Sequence, residues 1–188
     1  MADVVSTNQF KTGMAIDIEG QPFTIVEFQH VKPGKGGAFV RTKLRNIATG
    51  AVIDRTFRAG EKFDRVHTQS HRMAYLYSTD DEVVLMDNES FEQVSVTPAM
   101  AKDALVWVVE NMEVELLYLN GQPFEVAAPN FVELTITQSD PGVRGDTAQG
   151  ATKPATLETG ATVQVPLFIE EGERIKIDTR TGEYLGRA

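Results

Sequence analysis

Lys32-Pro33-Gly34-Lys35-Gly36-Gly37 is the segment whose residue types and spacing are best suited to chemistry. Pro33 restrains one side, while three glycines open backbone angles closed to other residues and keep neighbouring side chains away. Strand-like sequence flanks the segment, His30-Val31 before it and Ala38-Phe39-Val40-Arg41 after it. It therefore reads as a thin hairpin tip presenting one long side chain, Lys35. A lysine amine on a mobile stem suits phosphate contact and is open to covalent modification. A solvated hairpin turn fits the same residues. A phosphate-cradling nucleotide loop does not, because Gly-x4-Gly-Lys-Ser/Thr is absent and a strand rather than a helix follows.

Arg41, Lys43 and Arg45 alternate, so on a strand they share one face, and Arg55 and Arg58 add positive charge nearby. Such a face can meet a phosphate backbone or simply stand in solvent. His67 and His71 lie four apart, the spacing of a helical metal pair, but the intervening Thr-Gln-Ser is weak helix sequence and no third ligand is evident. No metal is expected. Asp80-Asp81-Glu82 and Glu170-Glu171 offer carboxylates, yet neighbours on a strand point to opposite faces, which leaves turn and surface roles. No Gly-x-Ser-x-Gly elbow marks a nucleophile, so no catalytic residue is expected. Asp140 to Thr147 is a turn-rich loop whose glycines allow close approach to a partner and whose Asp and Thr offer hydrogen bonds.

The elements that must position these residues are short and apolar. Runs with two-residue alternation recur at Phe23–Phe28, Ala38–Leu44, Glu82–Met86, Glu113–Leu119, Val132–Thr137, Val163–Ile169 and Ile175–Ile177, closed by turn residues. Many short strands predict β-barrels or sandwiches, and helices do not alternate with them as a parallel α/β sheet requires. One helix is predicted, with Thr97 as N-cap, Pro98 in the first position and Met100, Ala104 and Val108 on one face. Trp107 falls in or just past it and is expected to pack in a core. Gly-Gln-Pro-Phe occurs twice, at Gly20–Phe23 and Gly121–Phe124, and predicts two similar hairpin turns. Polar or broken stretches at His67–His71 and Ala127–Asn130 divide the 188 residues into three β-rich domains, 1–65, 66–128 and 129–188.

Charge is unevenly shared. The formal net charge is −9, but residues 1–64 hold nine Lys or Arg against seven Asp or Glu, and residues 65–188 hold nine against twenty. A general nucleic-acid binder held by a basic surface is disfavoured, and any polyanion contact should begin in the N-terminal part. There is no cysteine, which excludes disulfides, thiolate metal sites and cysteine nucleophiles. The first residues lack a basic and then apolar leader, and no apolar run reaches the roughly 18 residues of a membrane span. A cytoplasmic protein without a membrane contact is expected.

Val31 to Gly36, followed by Ala38 to Leu44, resembles the N-terminal domain of the bacterial elongation factor P family. Lys153 to Gly160 continuing through Val163-Gln164-Val165-Pro166 to Gly172, and the ending Ile177 to Leu185, resemble that family's C-terminal signatures. The likeness covers essentially the whole chain. It implies an all-β, L-shaped molecule of three consecutive barrels, an SH3-like KOW-type barrel (1–65) and two OB-fold barrels (66–128 and 129–188). It also implies a non-enzymatic, cofactor-free translation factor that binds the 70S ribosome between the peptidyl-tRNA and exit sites and relieves stalling at consecutive prolines. Partners would be peptidyl-tRNA, ribosomal RNA and messenger RNA. Lys35 matches the loop-tip lysine that approaches the CCA end of peptidyl-tRNA and that a separate enzyme extends in many bacteria. Lys32, Pro33, Gly34, Gly36 and Gly37 support it, Arg41, Lys43 and Arg45 are candidates for RNA backbone contact, and Gly145-Asp146-Thr147 matches a loop that contacts the messenger. The elongation factor P-like paralogue, with a different ribosomal role, is the close alternative, and the Lys-Pro-Gly-Lys-Gly loop favours the factor itself. The two-domain hypusine-containing initiation factor lacks a third barrel. A single-strand-binding OB protein would need aromatic platforms and a basic groove, which the acidic balance argues against.

Overall fold

The computed structural model describes residues 3–141 and 150–188. It divides into two compact units, Met1–Gln69 with Tyr118–Gln122, and Ser70–Leu117 with Pro123–Ala188. Six strands make the first sheet: β1 (Val4–Ser6), β2 (Ala15–Ile18), β3 (Gln21–Val31), β4 (Phe39–Asn46), β5 (Val52–Arg58) and β6 (Lys62–Val66), in the order β1-β6-β2-β3-β4-β5. The alternation read from sequence is plainest in β4, where Val40, Thr42, Leu44 and Asn46 are buried and Arg41, Lys43 and Arg45 are exposed. Ile16, Ile25, Val40 and Leu44, each fully buried, pack with Phe10, Phe23 and Phe57 into one core. Phe10 meets Phe28 and Phe57 edge to face, with centroids 6.4 and 6.2 Å away. Buried Thr7 ties the end of β1 to the turn between β5 and β6: its N–H donates to the Glu61 carbonyl (2.9 Å) and its hydroxyl accepts from the Gly60 N–H (2.8 Å). Both edges of the sheet are thereby held around the core.

The repeated tetrapeptide marks two turns of one kind. Glu19 and Gly20 (φ 55° and 82°) join β2 to β3, and Asn120 and Gly121 (φ 50° and 80°) join two later strands. Two consecutive positive φ values are what a two-residue type I′ hairpin requires, with Gly at the second place relieving the strain. The Asn120 turn belongs to the first unit. Its N–H donates to the His67 carbonyl (2.8 Å), and its Oδ1 accepts from the His67 N–H (2.9 Å).

The second sheet comprises β7 (Thr68–Ser78), β8 (Val83–Asp87), β9 (Gln93–Val96), β10 (Glu113–Leu119) and β11 (Gln122–Ala127), in the order β11-β10-β7-β8-β9. Here the polar stretch after His67 is strand rather than connector, because β7 starts at Thr68. The predicted helix starts as expected, at Pro98 after Thr97, but α1 ends at Ala101. Beyond it the chain runs on in turns, with Trp107 N–H donating to the Ala104 carbonyl at 2.9 Å. The β-branched run Val106, Val108 and Val109 around Trp107 is poor helix sequence, while Ala104 and Val108 remain buried as the helical face predicted.

The third sheet holds β12 (Phe131–Ser139), β13 (Thr152–Leu157), β14 (Thr162–Pro166), β15 (Arg174–Asp178) and β16 (Glu183–Arg187), ordered β14-β13-β12-β15-β16. Its core of Leu134, Ile136, Leu157, Val165, Ile175 and Ile177 also receives half-buried Trp107 and Met112 from the second unit's other strand group. Trp107 thus packs in a core, as expected.

Two carboxylates in this sheet respond to pH. Arg180 donates to both oxygens of Asp178 (2.9 and 2.6 Å), and Arg187 donates to Glu173 (2.6 Å). These arginine hydrogen bonds, with backbone N–H donors, hold both carboxyls below their ordinary range against the opposing effect of burial. A folded-state value below the unfolded one gives stability that is present above the unfolded pKa, about 4, and lost as pH falls through the folded one. The thermal midpoint is therefore expected to drop below about pH 4, and Asp178→Asn should flatten that drop; an unchanged acid limb in the variant would remove Asp178 from the account.

Candidate functional site

The β3–β4 hairpin places Lys35. The last paired residues are Val31 and Phe39, so residues 32–38 project beyond the ladder. Lys32, Pro33, Gly34, Lys35, Gly36 and Gly37 are all exposed, and Lys35 makes no hydrogen bond or ion pair with any described residue. Of the three glycines only Gly36 takes a positive φ, 112°, where a side chain would be strained. A Cβ there would meet only Pro33 Cγ at 3.9 Å, and one at Gly34 or Gly37 would meet nothing within 4 Å. The tip is bare on every side, so the amine of Lys35 is free to reach outward.

Behind the tip, cross-strand register fixes which charges share a face. Arg41 lies opposite Gln29 and Thr56, Lys43 opposite Glu27 and Asp54, and Arg45 opposite Thr24 and Val52. Arg58, paired with Phe39, joins the same face. Arg55 does not: it pairs with Thr42 in register and reaches Glu19 at 3.6 Å. The stripe is uneven. Lys43 Nζ stands 3.8 Å from Glu27 with Asp54 across the ladder, whereas the Arg41 guanidinium lies 5.7 Å over the Phe39 ring and faces no carboxylate in the ladder. Phe39 as a bed for Arg41 was not read from the sequence, although an aromatic two places before an arginine in a strand is a signal for it. These exposed pairs contribute little stability and are screened by salt.

The other sequence candidates lie apart from this face. His67 Nε2 stands 3.2 Å from Asp3, and His71 Nδ1 stands 3.4 Å from Asp87, so each histidine has its own acidic neighbour. Among the described residues no three His, Cys, Asp or Glu side chains are grouped to hold a metal ion. Asp81 and Glu82 sit in the turn before β8, where both N–H groups donate to the Thr79 hydroxyl. Glu171 accepts from the Ser139 N–H (2.9 Å). Gly145, Asp146 and Thr147 lie outside the described residues.

Three family models match the chain in order: the elongation factor P KOW-like domain over residues 6–63, the elongation factor P OB domain over 68–126, and the elongation factor P C-terminal domain over 132–187. The chain belongs to the elongation factor P family. Relatives named elongation factor P agree along its whole length. The one from Moorella thermoacetica is 54% identical over 185 residues, 98% of this chain and 100% of that protein. One from Synechococcus is 51% identical over 184 residues, with the same coverage. A solved structure described as eukaryotic translation initiation factor 5A from Methanococcus jannaschii shares the fold, with a TM-score of 0.50 at 23% identity over 66% of this chain and 96% of that one. Membership makes the chain a translation factor, with a KOW-like domain and an OB domain within a nearly all-β architecture. The Lys35 hairpin and the β4 stripe both fall inside the KOW-like match.

Proposed function

We propose that the chain binds the 70S ribosome between the peptidyl and exit tRNA sites and stimulates peptide-bond formation, relieving stalling at consecutive prolines. The observation that carries this reading is the bare Lys35 tip, a long cation with no partner among the described residues on a hairpin projecting beyond its sheet. An amine held this way can order the CCA end of peptidyl-tRNA. Prolyl substrates react slowly because their geometry is poor, and orientation alone lowers such a barrier without an acid or base from the protein. The chain therefore acts as a factor and not an enzyme, needs no cofactor, and works in the cytoplasm. Lys35 is also open to a separate modifying enzyme that would lengthen its reach.

Arg41, Lys43 and Arg45 meet RNA backbone in this reading, and Arg41 and Arg45 carry more of the contact than Lys43, whose charge Glu27 partly cancels. Gly145, Asp146 and Thr147 contact the messenger. The acidic remainder of the chain limits adhesion to RNA at large. Occupancy of the exit site tests the placement. Ribosomes carrying peptidyl-tRNA and an empty exit site should sediment with the chain, and filling that site with deacylated tRNA should release it; retention in both states would contradict the proposed position.

A further inference from the structure

Three phenylalanines are conspicuously exposed among the described residues, Phe91, Phe131 and Phe168 at 70, 47 and 63%. They differ in what surrounds them. Phe91 has no cation from the described residues over its ring. Phe168 has a single cation over its ring, the Arg187 guanidinium 5.3 Å from its centroid. Phe131 has two cations over one ring, Lys176 Nζ at 5.5 Å and the Arg180 guanidinium at 5.4 Å.

The surroundings of Phe131 set it apart further. It opens β12, and Glu133 and Thr135 follow at two-residue spacing, opposite Lys176 and Arg174 of β15. Three carboxylates border this face, and each is engaged: Glu133 by Arg174 (3.6 Å), Glu158 by the Thr135 N–H (2.8 Å) and Asp178 by Arg180 through two bonds. Among the described residues no carboxylate lies within ion-pair distance of Lys176, whose ladder partner is Glu133. Arg180 is fixed by its bidentate pair, so the flat guanidinium and the phenyl ring are preorganised together. A groove of mixed charge runs alongside, lined by Met112 and Phe131, by Arg174 and Lys176, and by the carboxylates Glu133 and Glu158.

We propose that Phe131, with Arg180 and Lys176, forms a stacking platform for a base of single-stranded RNA, a further RNA contact independent of the Lys35 hairpin. The base lies on the aromatic and guanidinium surface, and the mobile Lys176 amine swings to the adjacent phosphate. Aromatic faces accept any base, so the contact is tolerant of sequence. The acidic average of this part of the chain hides the platform, because two of the three acids on this face, Glu133 and Asp178, are paired with arginines.

The test is fluorescence anisotropy of the full chain with a labelled single-stranded RNA heptamer at low and moderate salt. Phe131→Ala should weaken binding roughly five- to a hundredfold, the loss of one base stack, and Phe131→Trp should keep it. Lys176→Gln should lower the salt dependence by about one phosphate contact. Phe131 is half exposed and outside the buried core, so all three variants should keep the parent's thermal midpoint. Absence of RNA binding by the unaltered chain, or equal binding by Phe131→Ala and the unaltered chain, would overturn the platform.

Discussion

Lys35→Ala is expected to leave the unfolding curve in place and to remove most of the chain's effect on proline incorporation. The stability half follows from the surroundings of the tip. Lys35 is exposed, contacts no described partner and is flanked by glycines at which a Cβ would meet at most Pro33 Cγ, at 3.9 Å. Surface substitutions of this kind stay within about 0.5 kcal/mol. The activity half follows from the place of the amine, at the glycine-flanked tip of a segment that projects beyond the last paired residues. A hydrogen bond to a charged group is worth about 1.5–3 kcal/mol, which is on the order of ten- to a hundredfold in rate when the contact is realised in the transition state. Lys35→Arg should recover part of the loss, since charge and reach remain but geometry and modification do not. The measurement is the rate of synthesis of a peptide with consecutive prolines, in parallel with urea unfolding. Full activity of Lys35→Ala would remove the tip from the mechanism.

Leu44→Ala has the opposite profile. Leu44 is fully buried in β4, between the exposed Lys43 and Arg45, and packs into the first unit's core with Ile16, Ile25 and Val40. Truncating such a side chain removes its transfer energy and leaves a cavity, about 2–5 kcal/mol, against a usual total of about 5–15 kcal/mol. The strand that displays the basic stripe is the strand that loses its packing, so ribosome binding should fall with stability. Trp107 is the sole tryptophan and sits in the other unit, which makes its fluorescence an indirect reporter. Amide exchange of β3, β4 and β5 is the direct one. Those amides should lose protection in Leu44→Ala, and unchanged protection would mean the core is not cooperative around Leu44.

What the sequence disclosed and what it withheld divide along physical lines. Period-two patterning is local, so β4 was legible down to which residues face out, and so were the two Gly-Gln-Pro-Phe hairpins, whose turn chemistry is carried by two adjacent residues. The Lys35 tip was legible because Pro and Gly write their constraints into a few positions. Long-range pairings were not. Nothing local tells that Glu27 will stand across from Lys43 and weaken the middle of the stripe. Nor does anything local say that Asn120 will bond to His67, 53 residues away, and bring its turn into the first unit. The helix after Thr97 was overextended, because apolar spacing of four persists in buried turns as readily as in a helix. A single-strand-binding OB surface was argued against on acidic balance, a quantity that counts acids without showing which of them are paired.

The measurement closest to the central claim is the rate of reconstituted synthesis of a peptide with three consecutive prolines, with and without this chain, alongside a control peptide without prolines. The account predicts faster passage through the prolines when the chain is present and little change in the control. An equal rate with and without the chain, using both the chain as isolated from its native host and one made without Lys35 modification, would contradict it.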